Sequence, residues 1–170
     1  PQKFLQIENL DSLLVFQKNR WVECLKQKGA NAKKYFYPLI AEEKLVSNEL
    51  AIVGVPDFIG YDFDDKLAVV EFKTGRPRDY RKDLWWYSLL LSKAKKLDAM
   101  KGFVYYTETS SVVKFEWDDS AFKIILDEVE EVRKQVAASN FAPNIKNCKM
   151  CDFRTVCKEV NPQCNLTENF

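Results

Sequence analysis

Asp57, Glu71 and Lys73 are the residues whose types and spacing suit metal-assisted chemistry. They fall in the stretch Gly54 to Gly75, GVPDFIGYDFDDKLAVVEFKTG, which reads as two strands joined by a tight turn. The first strand carries Pro56-Asp57 and the second Glu71-Phe72-Lys73. Side chains alternate faces along a strand, so Glu71 and Lys73 project together while Phe72 points to the opposite side. Two acids and a lysine at the edge of an apolar sheet are costly to place without a counter-charge. A divalent cation on oxygen ligands supplies that charge, since Mg²⁺ is usually bound by one or two carboxylates plus substrate phosphates. From Lys73 to Lys82 there are five cations (Lys73, Arg76, Arg78, Arg81, Lys82) against one acid, Asp79. Beside such a site a basic cluster suits a phosphate backbone, although the run also reads as a solvated loop and helix start. The chain has no histidine, which excludes His acid–base chemistry and His–metal ligation.

The elements that must position these groups follow from periodicity. Residues 10 to 28 read as an amphipathic helix with Leu10, Leu14, Trp21 and Leu25 at helical spacing, and Cys24 on or beside the apolar face. Asn9 or Asp11 suits its start and Gly29 its end. A strand is expected from Tyr35 to Val46, bent at Pro38 and carrying Glu42 and Glu43. The hairpin comes next, with strands near 50–61 and 66–74 around Asp62-Phe63-Asp64-Asp65, whose acids read as turn chemistry rather than ligands. A helix from about Asp79 to Leu97 puts Leu84, Tyr87, Leu91 and Ala94 on one face, with Trp85 and Trp86 flanking them. Strands at 102–106 and 112–117 precede a helix from Asp118 to Ala138, striped by Phe122, Ile125, Val129, Val132 and Val136. This order predicts an α/β domain with one mixed sheet covered by helices.

At 170 residues the chain reads as one domain, a 1–140 core and a 141–170 tail. Its 46% apolar and 30% charged residues fit a soluble globular protein, and no apolar run nears the roughly 20 residues that span a bilayer. The opening PQKFLQIENL lacks the apolar segment of a signal peptide, so a secreted location is not expected. Starting on Pro1 rather than Met, the sequence reads as a trimmed chain or a fragment. After Asn140 three cysteines are spaced C-x2-C-x5-C at Cys148, Cys151 and Cys157, and Cys164 follows. A C-x2-C pair places two thiolates on one turn, where they can share a metal centre that fastens a tail with little core of its own. Disulfides are the alternative, disfavoured without secretory features. Cys24 and Cys164 are both available as a fourth ligand. Cys24 would clamp the first helix to the tail, whereas Cys164 would make a local site better suited to zinc.

Pro56-Asp57, thirteen residues, then Glu71-Phe72-Lys73 resembles the PD-(D/E)xK nuclease pattern. The Gly54-x-Pro-Asp and Val70-Glu-Phe-Lys-Thr-Gly context is similar to its RecB-like branch. The cysteine tail with one cysteine far upstream is similar to the iron–sulfur subgroup. That subgroup includes the RecB-like CRISPR-associated nucleases, the AddB nuclease domain and the nuclease domain of the replication helicase-nuclease. The resemblance covers roughly residues 10 to 160. It implies a restriction-endonuclease-like core with the cysteine-rich tail packed on the N-terminal helix. It implies Mg²⁺ or Mn²⁺ on Asp57, Glu71 and the Phe72 carbonyl, with Lys73 orienting water and stabilising charge at the phosphate. It also implies a 4Fe–4S cluster on Cys24, Cys148, Cys151 and Cys157, with 2Fe–2S or zinc as alternatives. The family's Q-x3-Y motif falls on Asp83 to Tyr87, so Tyr87 matches while Asp83 stands in place of glutamine. An upstream metal-binding histidine usual in the family has no counterpart, and Glu42 or Glu43 is the candidate substitute.

The implied activity is phosphodiester hydrolysis on single-stranded DNA or DNA ends, in repair, recombination or CRISPR adaptation. Arg76, Arg78, Arg81 and Lys82 would track the backbone, and Tyr87, Trp85 or Trp86 would stack on bases. Expected partners are DNA and other DNA-processing proteins, with no membrane. The expected location is cytoplasmic, or associated with a nucleoid or with viral replication. The other class of function is a nuclease-like binding module with a weakened site.

Overall fold

In the computed structural model of the chain, the described residues are 10–74, 77–140, 148, 151 and 152, with side chains described from Leu14 onward. Two units divide the chain, Pro1–Leu126 and Asp127–Phe170. The helices are α1 (Leu10–Lys28), α2 (Ala32–Phe36), α3 (Arg81–Lys95) and α4 (Ser120–Ala137). The strands are β1 (Ile40–Ala41), β2 (Leu45–Ser47), β3 (Ile52–Gly54), β4 (Phe58–Tyr61), β5 (Leu67–Lys73), β6 (Lys101–Tyr106) and β7 (Ser111–Glu116). A five-stranded sheet runs in the order β1-β4-β5-β6-β7, while β2 and β3 form a separate pair. β5 and β6 are parallel, joined through α3, and the other neighbours are antiparallel, so the sheet is mixed as expected.

Register sorts the side chains into two layers. Directly opposed residues share a face, and Ile40, Ile59, Val69, Gly102, Val104 and Tyr106 lie on the face that also carries Glu71 and Lys73. α3 packs on that face and on β2 and β3. Leu84, Leu89, Leu90 and Leu91 are buried, each such side chain contributing about 1.5–3 kcal/mol of apolar burial. On the opposite face Phe58, Ala68, Val70, Phe72 and Phe103 join Phe16 and Arg20 of α1 around a cavity of about 340 Å³. Phe72 thus points away from Glu71 and Lys73, as alternation requires.

Of the turn acids, Asp62 bonds within the turn, whereas Asp65 pairs with residues of α2. Asp62 Oδ1 accepts the N–H groups of Asp64 and Lys66, both at 3.0 Å. Asp65 takes hydrogen bonds from Lys34 and Tyr35, which hold its carboxyl down at about 2. The buried Lys101 ammonium pairs with Asp62, so its charge is compensated inside the fold.

Four expectations are corrected. The segment Tyr35–Val46 is not one strand: Tyr35 ends up in α2, and two short strands follow. The expected strand 50–61 is cut at Val55-Pro56-Asp57 into β3 and β4, which belong to different sheets. Pro56 has no N–H for a ladder. Its carbonyl and that of Asp57 accept instead from Glu42 N–H, each at 3.2 Å. The apolar stripe of α1 also faces otherwise than its spacing suggests. Leu14 and Leu25 are 57% and 45% exposed, while Cys24 is buried with Ala32 and Tyr35 against Trp21 and Phe36. The aromatics around Cys24 and the guanidinium of Arg20, stacked on Phe36 and Phe58, supply the buried surface that leucines were expected to supply. In α4 Ile125 is buried as expected, but Val132 and Val136 are exposed.

Gly54 is where β3 and α3 approach most closely. A Cβ there would lie 2.7 Å from Leu90 Cδ1 and 3.2 Å from Tyr87 Cε1. Because Leu90 is itself fully buried it has little room to move. Gly54→Ala is therefore expected to destabilise the protein by about 1–3 kcal/mol, measured by urea unfolding. A stability within about 0.5 kcal/mol of wild type would show that α3 does not need this close approach.

Candidate active site

The β4–β5 register places Phe58 opposite Val70. One residue further along the same antiparallel pairing, Asp57 comes opposite Glu71. The Pro56 break frees Asp57 from ladder duty, and its Oδ2 accepts the Phe72 N–H at 2.8 Å. Two residues beyond Glu71 on the same face, Lys73 Nζ donates to Glu71 Oε1 at 2.8 Å. The hairpin therefore brings Asp57, Glu71 and Lys73 together as the sequence suggests.

α3 forms the other wall. Asp83 in its first turn lies 3.5 Å from Lys73 Nζ. Tyr87, one helical turn on, is half-buried beside Gly54. Burial raises the Tyr87 phenol above its ordinary range, with the charges of Glu71 and Asp57 adding to it. Lys73 also sits 4.6 Å from the ring centroid of Tyr80, a buried residue just before α3.

Charge balance in this pocket is incomplete. Burial pushes the Glu71 carboxyl above the carboxylate range, more than the Lys73 hydrogen bond lowers it, and Asp57 and Asp83 push the same way. Burial pulls the Lys73 ammonium down, but the hydrogen bond and charge of Glu71, with Asp83, leave it above the lysine range. Glu71 is 6% exposed, and among the described residues its buried Oε2 has no hydrogen-bond partner. Such an orphaned oxygen beside a second carboxylate is what a hard divalent cation satisfies, so Asp57 and Glu71 fit a Mg²⁺ or Mn²⁺ ion.

The remaining expected residues separate. Arg81 makes three hydrogen bonds to Asp79, so its charge is already engaged. Arg78 stacks on Tyr80 at 4.7 Å, Lys82 is exposed in the first turn of α3, and Arg76 lies outside the described residues. Glu43 pairs with Lys95, while Glu42 contributes its backbone N–H to the Pro56-Asp57 carbonyls. Of the cysteines, Cys24 is a free thiol packed among aromatics, and burial raises its pKa more than Arg20 lowers it. Cys151 N–H donates to the Cys148 carbonyl at 3.2 Å, the turn expected of C-x2-C. Cys151 is a free thiol, Cys148 is disulfide-bonded, and Cys157 and Cys164 lie outside the described residues. Most of the tail expected to pack on α1 lies outside them too.

Two residues of the site were not anticipated. Asp83 was visible only as a departure from a motif, although its position one turn before Tyr87 already placed both on one face. Tyr80 stands between cations in Arg78-Asp79-Tyr80-Arg81, a pattern that could have suggested cation–π packing.

No curated protein sequence matches the chain. The sequence profile of the PD-(D/E)XK nuclease superfamily matches residues 10–158. That match runs through the whole five-stranded sheet and α3, in keeping with a restriction-endonuclease-like α/β core, and on through the described cysteines of the tail. Spanning well over half of the sequence, it establishes that the chain belongs to the PD-(D/E)XK nuclease superfamily.

Proposed function

We propose that the protein is a Mg²⁺- or Mn²⁺-dependent deoxyribonuclease that hydrolyses phosphodiester bonds in single-stranded DNA or at DNA ends. The buried Oε2 of Glu71 beside Asp57, with no hydrogen-bond partner among the described residues, is the observation that carries this reading. When bound, the cation supplies polarisation of the phosphate and a lowered pKa for an attacking water. Asp57 and Glu71 would hold it, with the Phe72 carbonyl as the third protein contact. Lys73 contributes a fixed positive charge where negative charge develops in the transition state. Arg78 and Lys82, together with Arg76, follow the strand backbone. The half-buried rings of Trp85, Trp86 and Tyr87 give unpaired bases surfaces to stack on, a mode suited to single strands. This activity places the protein with DNA, in the cytoplasm or at a nucleoid or viral replication site, beside other DNA-processing proteins. Among the described residues no helix is long and apolar enough to cross a membrane.

One observation favours the second reading, a nuclease-like binding module. Among the described residues, no three His, Cys, Asp or Glu side chains group as a metal site. Labelled single-stranded DNA with Mn²⁺ separates the two. Wild type is expected to cleave, and Asp57→Ala and Lys73→Ala to lose about 10²-fold or more of the rate. Equal cleavage by all three proteins, or cleavage by none, would leave only the binding module.

The RecB-like branch with a 4Fe–4S cluster on Cys24, Cys148, Cys151 and Cys157 belongs to the same proposal. It is supported by the C-x2-C turn and requires Cys148 in its thiolate form, since a disulfide sulfur is no metal ligand. Protein purified anaerobically with reductant is expected to contain iron and to absorb in the visible range. A colourless protein with bound zinc would replace the cluster by a zinc site, and a metal-free one would leave the tail to disulfide bonding.

A further inference from the structure

Asp83 has no part in the mechanism above, yet it touches the group that mechanism depends on. Lys73 Nζ is approached from three directions: Glu71 Oε1 at 2.8 Å, Asp83 Oδ2 at 3.5 Å and the Tyr80 ring at 4.6 Å. Glu71 stands on the same strand as the lysine, whereas Asp83 reaches it from α3. The side chain of Lys73 is only 22% exposed, and that of Asp83 is 48% exposed. A lysine on a flexible four-carbon stem keeps one geometry only where several partners converge on it. A cation on Glu71 would draw on the carboxylate that is the nearest of those partners, and the attraction of Glu71 for Lys73 would weaken. Asp83 would then be the full negative charge still facing the ammonium, where a glutamine would offer only a dipole.

We propose that Asp83 is a positioning residue for Lys73, holding the ammonium from the helix side while Glu71 serves the cation. This rests on the nuclease reading for its purpose but not for its test. The first measurement is the rate at which Lys73 is acetylated by an N-hydroxysuccinimide ester in the presence of Mn²⁺, resolved by peptide mass spectrometry. Asp83→Asn is expected to expose Lys73 to reaction about threefold faster, the scale of one partly exposed ion pair. Asp83→Glu should restore the wild-type rate, and Lys93 and Lys95 on the same helix should not change. Equal Lys73 rates in wild type and Asp83→Asn, or a rise shared by Lys93 and Lys95, would overturn the proposal.

The second measurement is a double-mutant cycle on cleavage. Asp83→Asn is expected to lower kcat about tenfold with little change in KM, and to cost nothing further in a Lys73→Ala background. Additive losses would mean that Asp83 acts independently of Lys73, against the proposal. If wild type does not cleave at all, the nuclease reading fails while the acetylation rates still decide the role of Asp83.

Discussion

The site depends on the register of one antiparallel pair. Phe58 opposite Val70 sets Asp57 opposite Glu71, and the Asp57 carboxylate locks that alignment by accepting the Phe72 N–H. A slip of one residue would turn Glu71 and Lys73 to the face of α1 and put Phe72 among the carboxylates. The two faces are therefore not interchangeable: one carries aromatics against α1, the other charge against α3. Pro56 makes the alignment possible by keeping Asp57 out of the ladder, which begins one residue later at Phe58. Glu42, held at a positive φ of 49°, uses its N–H to occupy the carbonyls that the break leaves open.

α3 adds the second constraint. Gly54 lets Tyr87 and Leu90 come close to β3, and the parallel β5–α3–β6 connection brings the first turn of the helix over the end of β5. Asp83 and Tyr87 then face the carboxylates and Lys73. Among the described residues, three acids stand against one lysine, an excess of negative charge at a half-buried site. In a protein built only for stability such an arrangement would be replaced by apolar residues. It makes sense as a place where charge arrives from outside, as a cation and a phosphate.

Much of this was legible from residue types. Glu71-Phe72-Lys73 announced its own geometry because strand alternation is local, and Asp62 announced a turn because its carboxylate serves the N–H groups of Asp64 and Lys66. α3 was readable from Leu84, Tyr87 and Leu91, whose spacing survives in the packed helix. What spacing could not show was that within the expected stripe of α1 Trp21, with neighbouring Cys24, turns inward while Leu14 and Leu25 do not. That choice depends on the aromatics of α2 and β4, and they select Cys24 and Arg20 over Leu14 and Leu25. Nor could it show that Tyr35 would join a short helix, since one buried aromatic is equally at home in a strand. Asp83 illustrates a different limit. Compared with a motif it was a departure, and only the 3.5 Å contact with Lys73 gives it a partner.

The central claim is that Asp57 and Glu71 jointly hold a divalent cation. Anomalous scattering from a crystal grown with Mn²⁺ tests it most directly. The account predicts a peak between the two carboxylates, about 2.1 Å from Glu71 Oε2 and from an oxygen of Asp57. A peak confined to other acids such as Asp62 and Asp64, or none at all at a saturating concentration, would contradict it.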